Sequence, residues 1–575
     1  MHEYRVWAPD ARRMRVAVDA DVCEMERGDN GWWAATAAPG DYGFLVDDDD
    51  TALPDPRSMW QPDGVHGRSR VFEPDEFGWN DAGWRGAPID GGVIYELHVG
   101  TFTPEGTLDA AIDRLDHLTS IGVTHVELLP VNAFNGVHNW GYDGVLWYAV
   151  HEPYGGPRAY QRLVDACHAK GLAVVQDVVY NHLGPSGNYL PRFGPYLSDA
   201  GRSSWGEHVN LAEPEVREYI LENLAFWAER MHVDAFRLDA VHALVDDSPT
   251  HILQEMSDRA AQIAERVGRR VELIAESDLN DPKLITAPPA GYGLDAQWSD
   301  DFHHAVHVAL TGETEGYYAD FAPLTALQKV LSSGFFHDGS YSSFRGRNHG
   351  RPIDTTLTPS WRLVVSAQNH DQIGNRARGD RITEVLDESE LLIAALLLYA
   401  GPFTPMLFMG EEWAASTHFA YFTSHPEPEL GKAVADGRIG EFARMGWDRA
   451  AVPDPQERQT FVDSKLDWSE PSAAAGRHPR VLAAYRDLAR MRQEIAALRD
   501  DSFAADTWCD PHRGLIRFTR GPGLPRPAEV LVNFGVEPWH TESAGALIFA
   551  TSTEVQHADS KLVLPPRSGV LLVGG

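Results

Sequence analysis

The chain has 575 residues, of which 43% are hydrophobic and 23% charged, enough for a sizeable core and typical of a folded, multidomain protein rather than a disordered one. Its 84 acidic residues outnumber 49 basic ones, for a formal net charge of −35. That balance argues against nucleic acid or an anionic membrane surface as a partner, since both need clustered Lys and Arg.

The first stretch, MHEYRVWAPD, has no basic n-region and no apolar h-region, so no signal peptide is read there. Cys23, Cys167 and Cys509 lie far apart and outside any CxxC pair. They offer neither a disulfide framework nor a zinc site, which suits a reducing compartment and a cytoplasmic location. Over residues 1–88, short apolar runs (Tyr4–Ala8, Arg15–Val18, Trp32–Thr36, Tyr42–Val46) are separated by Asp, Gly, Asn and Pro. This spacing predicts a small β-sandwich. Its Trp7, Trp32 and Trp33 are expected to pack rather than to bind a ligand. Trp79–Asp90 reads as a linker.

From residue 89 to 499 the pattern changes. Apolar runs at Val93–Val99, Val123–Pro130, Leu172–Val179, Val233–Leu238, Val271–Ala275, Leu294–Trp298, Leu363–Ala367 and Thr404–Met409 alternate with helical stretches such as Leu108–Ser120, Ala159–Lys170 and Glu215–Glu229. Eight runs with helices between them predict a parallel (β/α)8 TIM barrel with expanded loops, Asn181–Ala212 among them. Leu391–Ala400 is too short to span a membrane and reads as a buried helix. Arg480–Arg499 reads as an amphipathic helix. Strand-like segments at Gly514–Thr519, Glu529–Asn533, Ala546–Ala550, Lys561–Leu564 and Gly569–Val573 place an all-β domain over 500–575.

In such a barrel, catalytic groups sit where strands end. The runs end in Asp177, Asp239, Glu276 and the pair His370–Asp371, with Arg237 two residues before Asp239 and so on the same strand face. Four carboxylates from four strands, gathered at one mouth with a His and an Arg nearby, are hard to explain as helix caps. They could bind a divalent cation or work as a glycosidase pair. Arg237 would keep Asp239 ionised, as a nucleophile must be. Glu276 has no cation in its immediate sequence and follows apolar residues, which suits a proton donor. Trp140, Tyr142, Trp147 and Tyr148, with His138, are read as a loop after the second strand that offers aromatic platforms to sugar rings.

QDVVYNH, DAFRLDAVH, IAESD and AQNHDQ resemble, in order, the four motif regions of the α-amylase superfamily. The resemblance covers the whole chain: a carbohydrate-binding-like N-terminal β-sandwich, the barrel and a C-terminal β domain. It implies a retaining α-glucan-active enzyme. By that resemblance Asp239 is the nucleophile, Glu276 the general acid/base and Asp371 the transition-state stabiliser. Arg237 orients the nucleophile, Asp177 braces the arginine, and Tyr142, His182 and His370 line the subsite of the transferred glycosyl unit. ELHVGTFTPEGT, HNWGYDGV, NHLGPSGNYLPRFGPY, FRLDAVHAL, AESDLNDP and WSDDFHH are similar to the malto-oligosyltrehalose trehalohydrolases. That family cleaves the α-1,4 bond next to a terminal trehalose unit and needs no cofactor. The similarity points to Trp205, Tyr317, Phe344 and Arg345 on the trehalose side. It also implies a companion enzyme that makes the trehalose end of the substrate.

The retaining scheme expects the two carboxyls about 5–5.5 Å apart. Some relatives hold a structural calcium after the third strand, where Asn181 lies. No acidic cluster accompanies it, so no metal is expected. Two rivals remain at this stage: an α-1,4-glucan branching enzyme, which passes the glycosyl unit to a sugar hydroxyl, and a non-catalytic glucan-binding protein, which would lack one of the carboxylates.

Overall fold

The computed structural model describes residues 1–203, 206–444 and 452–574. Eight parallel strands close into a barrel: β1 (Ile94–Leu97), β2 (His125–Leu128), β3 (Ala173–Val178), β4 (Ala235–Leu238), β5 (Glu272–Ala275), β6 (Ala296–Trp298), β7 (Leu363–Ser366) and β8 (Thr404–Phe408). They pair in chain order, and β8 returns to β1 with Met406 opposite Ile94. Each lies inside one of the eight predicted runs.

Side chains alternate in and out along a strand, so the barrel interior is built in layers. The floor is apolar: Ile94, Val175, Ala235, Ile274, Ala296, Val364 and Met406 form one buried cluster. Two residues further along their strands come Glu96, Asp177, Arg237, Glu276 and Trp298. The same period of two that fills the floor therefore delivers charge to the barrel mouth.

The helix Glu388–Ala400 opens on a capping box between Asp387 and Glu390, and every residue from Leu391 to Ala400 is buried. It is apolar on all sides because it lies between two neighbours, the helix Arg477–Glu494 and the C-terminal strand Ser568–Val573.

Three expectations need correction. The helix read over Leu108–Ser120 is two pieces, Leu108–Ile112 and Leu115–Ser120, because backbone bonds from Arg114 to Ala111 and from His117 to Arg114 tighten the ladder between them. The helix read over Arg480–Arg499 ends at Glu494: β-branched Ile495 is extended (φ −97°, ψ 107°), and a separate turn covers Ala496–Arg499. Trp147 and Tyr148 belong to a strand, Leu146–Val150, and are buried against Tyr219. They are core, not loop platforms.

Sheets at both ends flank the barrel. Residues 2–46 supply a three-stranded sheet (His2–Trp7, Trp32–Ala37, Glu26–Arg27) and most of a four-stranded one (Asp21–Glu24, Met14–Val18, Asp41–Val46, Ser69–Arg70), with Tyr4, Val16, Trp33 and Phe44 among the buried residues. All three tryptophans pack. Trp33 donates to the carbonyl of Ala8, Trp7 lies edge-on to Tyr196, and the Trp32 ring carries the Arg5 and Arg57 guanidinium groups at 5.0 and 4.8 Å. The C-terminal strands form a five-stranded and a three-stranded sheet. Among the described residues, no helix is long and apolar enough to cross a membrane.

Candidate active site

A cleft of about 660 Å³ opens at the strand ends of the barrel. Tyr142, His182, Asp239, Glu276, His370 and Asp371 all line it. Arg237 lies just beneath, 1% exposed.

Register puts Arg237 directly beside Asp177 on the neighbouring strand. Its Nη1 donates to both Asp177 oxygens at 3.0 and 2.9 Å and to Asp239 Oδ1 at 2.7 Å. The guanidinium also lies 4.4 Å from the Trp298 ring, and its Nη2 is 3.8 Å from Glu276 Oε2. One buried cation is thus compensated from several directions, as burial of a charge requires. Burial pushes the Asp177 carboxyl up to about 7, against the pull of Arg237.

Asp239 receives a second donor. Asn181 Nδ2 lies 2.9 Å from Asp239 Oδ2 and 3.0 Å from its backbone oxygen. Asn181, considered above as a calcium ligand, is committed to this carboxylate. Among the described residues, no group of three or more His, Cys, Asp or Glu is arranged to hold a metal ion.

Ala240 follows in the left-handed region (φ 40°), a conformation that a non-glycine residue adopts at some cost. The turn aims its N–H at Glu276 Oε2, 2.6 Å away. Burial pushes the Glu276 carboxyl up to about 8; Arg237 opposes this, and Asp239, Asp371 and Asp300 add to it. The cation missing from the sequence around Glu276 is therefore present in space, yet desolvation outweighs it.

Tyr142 is placed by Gly141, whose φ of +113° and contact with Pro130 leave no room for a Cβ. Its hydroxyl lies 2.8 Å from Asp177 Oδ2 and 2.8 Å from His370 Nε2, and its ring stacks on His370. His182 points Nδ1 at Asn181 Oδ1 and Nε2 at the carbonyl of Tyr142, 2.9 Å away. Asn369 caps the short helix His370–Gly374 by accepting from the N–H groups of Asp371 and Gln372. That cap leaves the Asp371 side chain 44% exposed to the cleft.

The trehalose-side candidates divide. Tyr317 and Phe344 meet edge to face, and Arg345 donates to Asp278 Oδ2 at 2.7 Å. They do not line the main cleft. Tyr317 and Arg345 line a small adjoining pocket that shares Asp278 with it, and Phe344 is 56% exposed. Trp205 lies outside the described residues. Tyr421 and Arg438, from the long segment after β8, form a further wall of the cleft that sequence reading did not single out.

A family model for the α-amylase catalytic domain matches residues 66–193. The chain is 55% identical to the malto-oligosyltrehalose trehalohydrolase of Rhizobium sp. (strain M-11) over 99% of its own length and 97% of that protein's. It is 59% identical to the trehalohydrolase of Arthrobacter ramosus, with 90% and 91% covered. Among solved structures, a putative α-amylase from Salmonella typhimurium superposes with a TM-score of 0.91 at 34% identity, covering 100% of this chain and 97% of that one. A 1,4-α-glucan branching enzyme of Bacillus caldolyticus is more remote, 29% identical over 51% of this chain and 50% of its own.

Proposed function

The chain belongs to the malto-oligosyltrehalose trehalohydrolase family of the α-amylase superfamily, and we propose that it hydrolyses the α-1,4-glucosidic bond next to the terminal trehalose unit of malto-oligosyltrehalose, releasing trehalose. The observation that carries the chemistry is the single cleft lined by Asp239, Glu276 and Asp371, with Arg237 beside the first two. The end-to-end likeness to trehalohydrolases carries the choice of substrate, and it favours hydrolysis over branching.

In the first step Glu276, protonated, gives its proton to the glycosidic oxygen while Asp239 Oδ attacks the anomeric carbon. The bond to trehalose breaks and a covalent glycosyl-enzyme forms. Arg237 and Asn181 hold the nucleophile by its two oxygens. In the second step Glu276, now a base, takes a proton from water, which attacks the same carbon and frees Asp239. Two inversions leave the new end in the α configuration. Asp371, with His182, His370 and Tyr142, grips the glycosyl unit. Trp205, Tyr317, Phe344 and Arg345 serve the trehalose side.

Residues 1–88, 89–499 and 500–575 are assigned to the N-terminal sandwich, the catalytic barrel and the C-terminal β domain. The cytoplasm is the proposed location, supported by the free thiols of Cys23, Cys167 and Cys509. The proposed pathway companion is the malto-oligosyltrehalose synthase that supplies the substrate.

Proton NMR of the reaction tests the scheme: the α anomer appears first, with free trehalose, and a β anomer excludes a retaining mechanism. Asp239→Asn abolishes turnover while circular dichroism stays that of the wild type. New α-1,6 links in treated amylose would instead indicate branching.

A further inference from the structure

Below the rim of the cleft lies charge that the two-step scheme does not use. Glu96 on β1 and Glu127 on β2 are register partners, and each is 1% exposed. Glu96 is committed to a single neighbour. Its Oε2 accepts from the backbone N–H of His370 at 2.9 Å, and its Oε1 lies 2.5 Å from His370 Nδ1. On the opposite edge of the imidazole, Nε2 meets the Tyr142 hydroxyl, which also meets Asp177.

The Tyr142 hydroxyl has one proton and two candidate acceptors, Asp177 Oδ2 and His370 Nε2. If that proton goes to Asp177, Nε2 must donate to the hydroxyl. Nδ1 must donate as well, because it faces a carboxylate. The ring then carries two protons. The negative charge of Glu96 stabilises that second proton; with a neutral residue at 96 the singly protonated ring is favoured, and Tyr142 turns its proton from Asp177 to Nε2. The charge at position 96 thus selects the direction of a row of contacts that runs through His370, Tyr142, Asp177 and Arg237 to Asp239.

We propose that Glu96 is a positioning residue for the reaction: it fixes His370 as the doubly protonated imidazolium, which donates to Glu96 on one edge and to the Tyr142 hydroxyl on the other and so holds the Tyr142–Asp177 contact in place at the wall of the cleft. The inference rests on the functional reading above and adds to it a residue that does not touch substrate.

The groups facing His370 support this assignment. Burial disfavours the charged ring and Arg237 repels it, but Asp371 and Glu96 outweigh both and raise the imidazole to about 9. His98 also faces the ring as a like charge, but burial holds it neutral, at about 3. Asp177 adds attraction. Burial and the neighbouring Glu96 drive the Glu127 carboxyl well above the ordinary range, against the pull of Arg237 and His370. Asp371 is 3.6 Å from Nε2 and 44% exposed, hence screened by water. Glu96 acts at hydrogen-bond distance without that screening.

The test is Glu96→Gln in the full-length protein, with kcat and KM for maltotriosyltrehalose followed from about pH 5 to 9. Gln keeps the shape and removes the charge. The expected result is a kcat lower by about tenfold, the equivalent of one pKa unit of lost interaction, with KM little changed. The alkaline limb of the profile should also move down by about one pH unit, because His370 then loses its proton before Glu276. A variant with wild-type kcat and an unmoved limb overturns the proposal. Should the variant not fold, 15N NMR of the histidine-labelled wild type decides, with the His370 signal assigned by its loss in His370→Asn. An imidazolium at pH 8 supports the proposal and a neutral ring overturns it. A wild-type protein that releases no trehalose defeats the functional reading alone; the NMR result still judges Glu96.

Discussion

Glu276 must be an acid and then a base within one turnover, and its surroundings set that compromise. The backbone N–H of Ala240 and the distant edge of Arg237 favour its ionised form, while burial and the carboxylates of Asp239, Asp371 and Asp300 favour the proton. With the carboxyl at about 8, the proton is present at neutral pH and is lost as pH rises through that value. Cleavage of the natural substrate should therefore decline on the alkaline side, and Glu276→Gln should lower kcat by about 10²–10⁴-fold. A glycosyl fluoride, whose leaving group needs no proton, should be far less affected by the substitution. Equal losses on both substrates would contradict the acid role. At this scale the sequence was legible where charge follows an apolar run: Asp177, Arg237, Asp239, Glu276, His370 and Asp371 were read from strand ends and lie together. Glu96, in the same next-to-last place of its strand as Asp177 and Arg237, was missed because it was read as part of the run Val93–Val99. Two-residue alternation from Ile94 was the signal that could have found it. Asn181 was weighed only as a metal ligand, since nothing in its neighbourhood along the chain reveals the contact with Asp239.

The linker before the barrel turns out to be an element with its own chemistry. Asp81 sits between His168 Nδ1 at 2.8 Å and His232 Nδ1 at 2.7 Å, and His168 Nε2 reaches Asp234 Oδ2 at 2.8 Å. Trp84 stacks on His168 and donates to Asp234. Residues 81–84 are thereby clasped to the helix Gly156–Ala169 and to the segment leading into β4. Burial disfavours the charge on His168, but the two aspartates outweigh it and raise its pKa above 6.5. A group raised on folding adds stability that is complete below its unfolded pKa and lost as pH climbs through the folded one. The clasp should therefore hold below about pH 6.5 and weaken on the alkaline side. His168→Gln should cost about 2–4 kcal/mol at pH 6 and less at alkaline pH, measured by denaturant midpoints across that range. A constant difference between the two proteins would remove the charge from the clasp. Composition read this stretch as a linker and carried no sign of its partners, which lie 87 and 151 residues away. Helix ends were misjudged for a local reason: Ile495 turns extended and the ladder tightens at the Asp113–Arg114 step without any Gly or Pro to announce it.

Across the whole molecule, one long-range regularity was legible. Eight apolar runs recur with helices between them, and each contains a barrel strand. The all-β character of both ends was equally visible in short runs broken by turn residues. Substrate choice was not legible from periodicity, because an aromatic side chain in a glucan cleft does not declare which side of the scissile bond it serves. It came instead from the likeness to trehalohydrolases along the full chain. The central claim is therefore selectivity for the trehalose end, and chromatography of the products tests it most directly. The purified protein is incubated separately with maltotriosyltrehalose and with maltopentaose, which have the same number of glucose units. The account predicts free trehalose and maltotriose from the first and much slower cleavage of the second. Equal rates on both would contradict it and leave a general α-glucan hydrolase.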